Sequence, residues 1–297
     1  MKKILLIVSA IIFGLVSCER SDSDPGSDVP IDDSHGAVPF LQIGDGITFE
    51  YNDLAIYDSS THIMYFKTTH PEFEKMKHPA FEVFIGSDTI YKGVIWPGYS
   101  SSMPVGAFIM SDPFFYPSYA LRIDYNKGSA PDLRNDPRII QSLKEKGILH
   151  SGLIVEISSL EISGTLARLS VIVTNMDKSD LMILDPDRMG HKLFHYFTNG
   201  LYLRDAAGTK MITTVLEFQT PVPWNGWSKD WLTQLSPGAS KMFTVTYTFE
   251  EAVTPGSYSA WFVYPGLSSQ VDLNELIQTS GRIWLGDITA VKNITIR

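Results

Sequence analysis

The chain has 297 residues, of which 44% are hydrophobic and 19% are charged, so a disordered chain is excluded and folded cores are expected. The 33 acidic residues outnumber the 24 lysines and arginines, which gives a formal net charge of −9 and argues against a nucleic-acid-binding protein. Cys18 is the one cysteine, so an intrachain disulfide and a cysteine-based zinc site are both excluded.

The first 17 residues have the pattern of an export signal. Lys2 and Lys3 precede an apolar run at 4–15, which is shorter than the roughly 17 to 25 apolar residues that span a bilayer. Small residues then lead into Cys18. This segment resembles the lipobox of bacterial lipoproteins. The resemblance implies that residues 1–17 are a signal peptide and that acyl chains such as palmitate on Cys18 anchor the chain to a membrane.

Residues 18–38 are predicted to form the lipidated cysteine and a flexible acidic stalk. The segment is rich in Ser, Asp, Gly and Pro and has few large apolar residues to bury. Glu19, Asp22 and Asp24 follow the cysteine closely. This arrangement resembles the export signal of surface lipoproteins in the Bacteroides group (Bacteroidota). It implies a lipid-anchored outer-membrane protein that faces the cell surface, with the periplasmic face as the alternative.

Residues 39–130 are predicted to form an N-terminal β-sandwich. Short apolar runs are broken by turn residues, as in antiparallel sheets. A polar turn at 86–88 joins two of the runs as a hairpin. The segment 70–77 is either a helical turn or a loop. The predicted strands are 47–51, 63–66, 81–85, 89–91 and 119–125.

Residues 131–150 are predicted to be a helical connector. Asp136 is a suitable N-cap, Pro137 suits the first helical position, and Gly147 suits the end of the helix. The expected apolar contacts are Ile139, Ile140, Leu143 and Ile148.

Residues 151–297 are predicted to form a C-terminal β-sandwich. The clearest strand is 243–249, where apolar side chains alternate with three threonines. A helix is predicted at 272–280, with Asp272 and Glu275 as a capping box and Gly281 after its end. The other predicted strands are 168–175, 201–208, 258–264 and 291–296.

Four turn motifs follow one another in this C-terminal segment. They are Val-Thr-Asn-x-x-x-Ser-Asp at 173–180, Leu-Arg-Asp-x-x-Gly at 203–208, Leu-Ser-Pro-Gly at 235–238 and Pro-Gly-Ser-Tyr at 255–258. The order resembles the bacterial immunoglobulin-like sandwich of secreted adhesive modules and of BsuPI-type protease inhibitors. It implies an all-β fold with two immunoglobulin-like β-sandwich domains joined by the helical connector.

No catalytic residues are predicted. The segment 98–102 resembles a nucleophile elbow, but the closing glycine of Gly-x-Ser-x-Gly is absent. Two small sandwiches also lack the deep cleft that most hydrolases use. We therefore expect no enzyme activity and no cofactor.

Two histidines four residues apart raise the question of a metal site. His191 and His195 would share one face of a helix or strand, and Asp185 and Asp187 offer oxygen ligands nearby. However, Lys192 stands where the metalloprotease motif requires glutamate. We expect no metal there: the favoured interpretation is an acidic turn that leads into a strand with two partly exposed histidines, and a metal site is the alternative.

Three of the six tryptophans lie within eight residues, at Trp224, Trp227 and Trp231. Indole rings stack on the apolar faces of sugars, and Asn225 and Asp230 offer groups for sugar hydroxyls. This predicts a glycan-binding loop. The same spacing is also typical of one face of a short helix packed on a sheet, and the sequence leaves both interpretations open.

The sequence favours a non-catalytic outer-membrane lipoprotein that acts as a surface binding module for a glycan. One alternative is a protease inhibitor that inserts an exposed loop at 184–192. The other is a structural or assembly component that binds a protein in the outer membrane. Asp-Thr-Ile at 88–90 matches a short O-glycosylation pattern of Bacteroides-type secreted proteins, so Thr89 is a candidate modification site.

Overall fold

The computed structural model describes residues 39–76, 80–111, 115–127, 131–198, 200–215, 217–268 and 270–297. The predicted signal peptide, Cys18 and the predicted stalk lie outside these residues. The described chain is all-β and sandwich-like, as the sequence predicts, with 21 strands and four short α-helices. Within these ranges, no helix is long and apolar enough to cross a membrane. Residues 37–297 form one compact unit.

The N-terminal part of the fold contains ten strands in two sheets. They are β1 (Pro39–Ile43), β2 (Ile47–Glu50), β3 (Leu54–Asp58), β4 (Ile63–Phe66), β5 (Ala80–Ile85), β6 (Asp88–Pro97), β7 (Gly106–Ser111), β8 (Ala120–Arg122), β9 (Asp124–Asn126) and β10 (Leu149–His150). One sheet has the order β2-β1-β5-β6-β7-β9 and the other β10-β3-β4-β8. Leu41 and Val83 from the first sheet share a buried core with Tyr57 and Met64 from the second, so the two sheets pack face to face.

The predicted closing strand at 119–125 is divided between these two sheets. β8 pairs with β4, whereas β9 pairs with β7 in the other sheet. The chain crosses at the buried Ile123. A continuous strand was therefore the wrong prediction, because the alternation of side chains continues through the crossing and conceals it. The crossing places Arg122 and Asp124 close together at one edge of the sandwich.

The predicted connector contains one helix, α1 (Pro137–Glu145). The Asp136 carboxylate accepts a hydrogen bond from the Arg138 N–H, and Pro137 takes the first helical position, as predicted. Ile139 and Leu143 are buried. The chain then enters β10, which runs parallel to β3 and still belongs to the N-terminal sheets. Short 3₁₀ helices lie at Tyr51–Asp53, Pro71–Lys75, Leu133–Asn135 and Lys229–Trp231.

The C-terminal part contains eleven strands in two sheets. They are β11 (Leu153–Ser163), β12 (Leu166–Asn175), β13 (Leu181–Leu184), β14 (Leu201–Asp205), β15 (Met211–Val215), β16 (Leu232–Leu235), β17 (Ser240–Phe249), β18 (Gly256–Tyr264), β19 (Ile277–Gln278), β20 (Gly281–Ile283) and β21 (Ile288–Ile296). The orders are β11-β12-β17-β15-β14-β18-β21 and β16-β13-β20-β19. Three helices accompany them: α2 (Pro186–Met189), α3 (His191–Phe197) and α4 (Leu273–Leu276).

β17 shows why the alternating pattern is informative. Phe243, Val245, Tyr247 and Phe249 all point into the core and are buried, as a half-buried antiparallel strand requires. By contrast, the predicted helix at 272–280 is only the single turn α4. It ends at Leu276 because the chain continues into β19, which pairs with β20.

The predicted capping box at this helix is not formed. The structure shows no side-chain hydrogen bond from Asp272 at the N-cap. Gly281 does not follow a helix but opens β20.

The two parts of the chain share a buried core. Ile63, Tyr65 and Tyr119 of the N-terminal part pack in one cluster with the C-terminal sheets. The Tyr119 hydroxyl also donates a hydrogen bond to the carbonyl oxygen of Val271, at 2.6 Å. The candidate binding sites lie either on the C-terminal part or between the two parts, and the candidate glycosylation site Thr89 lies on β6 of the N-terminal part.

Candidate functional site

The tryptophan-rich segment forms a loop between β15 and β16, described here from residue 217 to residue 231 and called the tryptophan loop. The N–H of Gln219 donates to the carbonyl oxygen of Lys192 at 3.0 Å, which fastens the start of the loop to α3. The N–H of Gly226 donates to the carbonyl oxygen of Pro223 at 2.8 Å and closes a turn. The loop ends in the 3₁₀ helix Lys229–Trp231, where the Ser228 side chain accepts the N–H of Asp230.

The three tryptophans of this loop differ in environment. Trp224 is 73% exposed. Trp227 and Trp231 are partly buried and pack against the main core, and the Trp231 ring meets Phe197 edge to face at 6.1 Å. The interpretation as one helix face is wrong, because only residues 229–231 are helical and Trp224 points away from the core. Trp227 and Trp231 support the loop, and Trp224 is presented to solvent.

Asn225 and Asp230 are the polar residues predicted for this site. Asn225 has a positive φ of 59°, which asparagine tolerates better than most residues. The Tyr196 hydroxyl donates to its side-chain oxygen at 2.6 Å, so the amide is oriented beside Trp224. Asp230 is exposed at the start of the 3₁₀ helix, and its carbonyl oxygen accepts a long contact of 3.4 Å from Arg188.

Exposed apolar side chains accompany Trp224. Val222 is 92% exposed and Phe218 is 55% exposed. The Phe218 ring contacts Tyr196 edge to face at 6.0 Å. The loop therefore offers a mixed surface of aromatic rings and one fixed amide, the composition that recognition sites often have.

The four candidate metal ligands are not brought together. Asp185 is fully buried, caps α2 through the N–H of Asp187, and pairs with Lys241. His195 stacks on Tyr247 with ring centroids 4.7 Å apart, and burial lowers its pKa. No cluster of three or more His, Cys, Asp or Glu side chains that could hold a metal ion occurs in the part of the chain that the structure describes.

Thr89, the candidate glycosylation site, is exposed on β6 next to the hairpin turn. Its hydroxyl donates to Glu82 at 3.1 Å. Glu82 also pairs with Lys92 at 2.7 Å, and these contacts lower the pKa of its carboxyl. The threonine is sterically accessible on this edge of the hairpin.

A cavity that the sequence did not predict lies between the N-terminal and C-terminal parts. Its volume is about 640 Å³. Arg122 and Asp124 line one side, and Arg122 pairs with Asp287 on the other side. No local sequence motif predicts this cavity, because its walls come from segments that are remote in sequence. Its aromatic residues also resemble ordinary core residues in the sequence.

Known proteins give only weak and partial matches to this chain. No protein-family model and no curated protein matches the chain. Among solved structures, β-glucosidase from Kluyveromyces marxianus in complex with glucose matches 49% of this chain at 13% identity with a TM-score of 0.22. β-Glucosidase from Listeria innocua in complex with glucose matches 46% at 13% identity with a TM-score of 0.18. The chain spans 14% and 16% of those enzymes, and at these scores the likeness carries no functional argument.

Proposed function

We propose that this chain is a non-catalytic, lipid-anchored protein of the outer membrane whose tryptophan loop binds a glycan at the cell surface. The observation that carries the proposal is the exposed indole of Trp224 beside the oriented amide of Asn225. A large aromatic ring held at a loop tip exposes apolar surface to water, and a bound partner would cover it.

The loop has the parts that sugar recognition requires. A flat indole face can stack on the C–H face of a pyranose ring, and an amide fixes orientation through hydroxyl hydrogen bonds. Tyr196 holds the Asn225 amide before any ligand arrives, which lowers the entropy that binding would cost. Trp227 and Trp231 brace the loop against the core and so position Trp224.

The proposed cellular location rests on the lipobox resemblance at Cys18 and on the acidic residues that follow it. Acyl chains on Cys18 would hold the protein at the membrane, and the stalk would separate it from the lipid. A surface location would give the tryptophan loop access to extracellular polysaccharides.

Recognition of a protein partner is the second candidate, favoured by the exposed Val222 and Phe218 beside Trp224. The inhibitor hypothesis receives no such support at 184–192. That segment is not an extended loop but the end of β13 followed by α2 and the start of α3, and Asp185 within it is buried.

Affinity electrophoresis tests the proposal. The chain from residue 19, which retains the compact unit, would be run through native gels that contain single polysaccharides. Retardation by one polysaccharide that is lost in Trp224→Ala and kept in Trp96→Phe supports the proposal. The second candidate would be favoured by two results together. The mobility would be unchanged in every gel, and the chain would bind a purified outer-membrane protein in a way that Trp224→Ala abolishes.

A further inference from the structure

The cavity between the two parts of the chain has the size and lining of a small-molecule site. Its volume of about 640 Å³ lies within the range of about 300–1,000 Å³ that such sites occupy. Its lining is mostly apolar and includes several aromatic and thioether side chains, and none of the lining residues belongs to the tryptophan loop. The apolar side chains that enclose it include Met103, Phe108, Met110, Phe115, Tyr116 and Phe197.

The charged groups among the described lining residues are one cation and two anions. Arg122 Nε lies 2.8 Å from Asp124 Oδ1, and Arg122 Nη1 donates to the Tyr116 hydroxyl at 3.0 Å and to Asp287. Burial by itself lowers the pKa of the Arg122 guanidinium, but Tyr116, Asp287 and Asp124 outweigh it, and the pKa is raised. The guanidinium therefore stays charged, and with both carboxylates ionised the formal charge of the cluster is −1.

The three charged groups make the cavity selective for the sign of a ligand's charge. An anion would approach two carboxylates and a guanidinium that is already paired with both of them. A cation would approach Asp287, whose side chain is 42% exposed, and would neutralise the negative formal charge of the cluster. Aromatic rings in the wall also attract cations through their faces.

We propose that this cavity binds a small organic cation, an ammonium group carried on an apolar or aromatic body. The ammonium group pairs with Asp287, and the body occupies the space between Phe115, Tyr116 and Phe197. The formal charge of −9 on the chain favours the approach of such a ligand. The proposal does not depend on the tryptophan loop, since none of the lining residues belongs to it.

Three probes with one phenyl body and different charges test this proposal. They are 2-phenylethylamine, 2-phenylethanol and 3-phenylpropionate, each titrated at pH 7 into the chain from residue 19 and followed by ligand-observed NMR. This chain retains residues 37–297, the compact unit that contains both buried cores. The amine is expected to bind at least about tenfold more tightly than the neutral alcohol, and the acid more weakly than either.

Variants locate the binding. Asp287→Asn is expected to weaken amine binding by about tenfold and to remove most of the preference for the amine. Phe115→Ala is expected to weaken the amine and the alcohol together, because it removes part of the wall. Glu156→Gln removes one exposed carboxylate from β11 as a matched control, and Trp224→Ala changes the tryptophan loop; both are expected to bind the amine unchanged.

The outcomes separate clearly. If Asp287→Asn proves unfolded by circular dichroism, Phe115→Ala still reports on the cavity. Equal binding of the three probes, tighter binding of the acid, or no binding of the amine to the folded chain would overturn the proposal. Amine binding that survives both Asp287→Asn and Phe115→Ala would overturn it as well.

Discussion

Arg282 and Asp58 form a buried ion pair across the two parts of the chain, with 3.0 Å between Nη2 and Oδ2. The same nitrogen lies 3.2 Å from Asp177, whose carboxylate also meets His150 Nδ1 at 2.8 Å. The Arg282 side chain is only 2% exposed, and its guanidinium lies over the Tyr65 ring at 5.0 Å. The N-terminal and C-terminal sheets are therefore joined by a charge cluster as well as by apolar packing.

Removal of the cation from this cluster should be costly. Arg282→Ala leaves Asp58 and Asp177 as buried carboxylates without their cation, so we expect the free energy of unfolding to fall by about 3–5 kcal/mol. Urea denaturation followed by circular dichroism measures the loss. Arg168→Ala, which removes an exposed arginine from β12, should change it by less than about 1 kcal/mol. Equal losses in the two variants would show that the cluster does not join the parts.

Asp177 should make stability depend on pH. Burial by itself raises the pKa of this carboxyl, but His150 and Arg282 outweigh it, so the pKa is lowered in the folded state. A lowered pKa stabilises the fold above the unfolded value of about 3.9, and this contribution is lost as the pH falls through the folded pKa.

The comparison of the chain with Asp177→Asn measures this contribution, because groups that do not contact Asp177 titrate alike in both proteins. The difference in free energy of unfolding should be largest near pH 7 and should shrink below about pH 4. Denaturant titrations at several pH values give that difference. A difference that stays constant down to pH 3 would contradict the assignment.

Gly152 is needed where the chain passes from one part to the other. It has a positive φ of 66°, and a Cβ atom there would overlap the side chains of Ser60 and Asp58. Gly164 has a similar φ of 63°, but a Cβ atom there would meet nothing within 4 Å. Both alanine variants carry left-handed backbone strain of about 1–2 kcal/mol.

Gly152→Ala should therefore lose about 1–3 kcal/mol more than Gly164→Ala, since only the former also overpacks a buried site. Thermal and urea unfolding of the two variants provide the comparison. Similar losses in the free energy of unfolding would mean that the residues around Asp58 can move to accommodate a Cβ atom. That result would contradict tight packing between the two parts of the chain.

Local patterns predicted most of the strands and the connector helix. The alternation at 243–249 and the cap at Asp136 depend on neighbours in sequence, so they can be recognised there. The division at Ile123 could not be seen, because both resulting strands keep the same alternation.

Contacts between residues that are remote in sequence could not be predicted, for a different reason. Asp58 and Arg282 look like separate surface charges until the fold buries them together. The cavity around Arg122 and Asp287 arises in the same way. At the candidate loop, composition identified the three tryptophans, but only packing against the core distinguishes the exposed Trp224 from Trp227 and Trp231.

The proposed lipid anchor at Cys18 gives a prediction that is independent of the folded part. Cys18→Ser should move the protein from the membrane fraction to the soluble fraction and abolish its metabolic labelling with palmitate, because the acylated thiol is lost. Trp224→Ala should stay labelled and membrane-bound. A Cys18→Ser protein that remains in the membrane fraction would contradict the lipobox prediction.

We propose that Trp224 binds a glycan, and a fluorescence titration measures this binding. The intrinsic tryptophan emission of the chain from residue 19 would be followed against a panel of polysaccharides, beside Trp224→Ala, Trp227→Ala and the control Trp96→Phe. We expect a saturable shift with one polysaccharide, at least about tenfold weaker binding in Trp224→Ala, and unchanged binding in Trp96→Phe.

Trp227→Ala should instead be destabilised by about 2 kcal/mol, since its ring packs against the core. A saturable shift that persists in a folded Trp224→Ala protein, or no shift with any polysaccharide, would contradict glycan binding by Trp224.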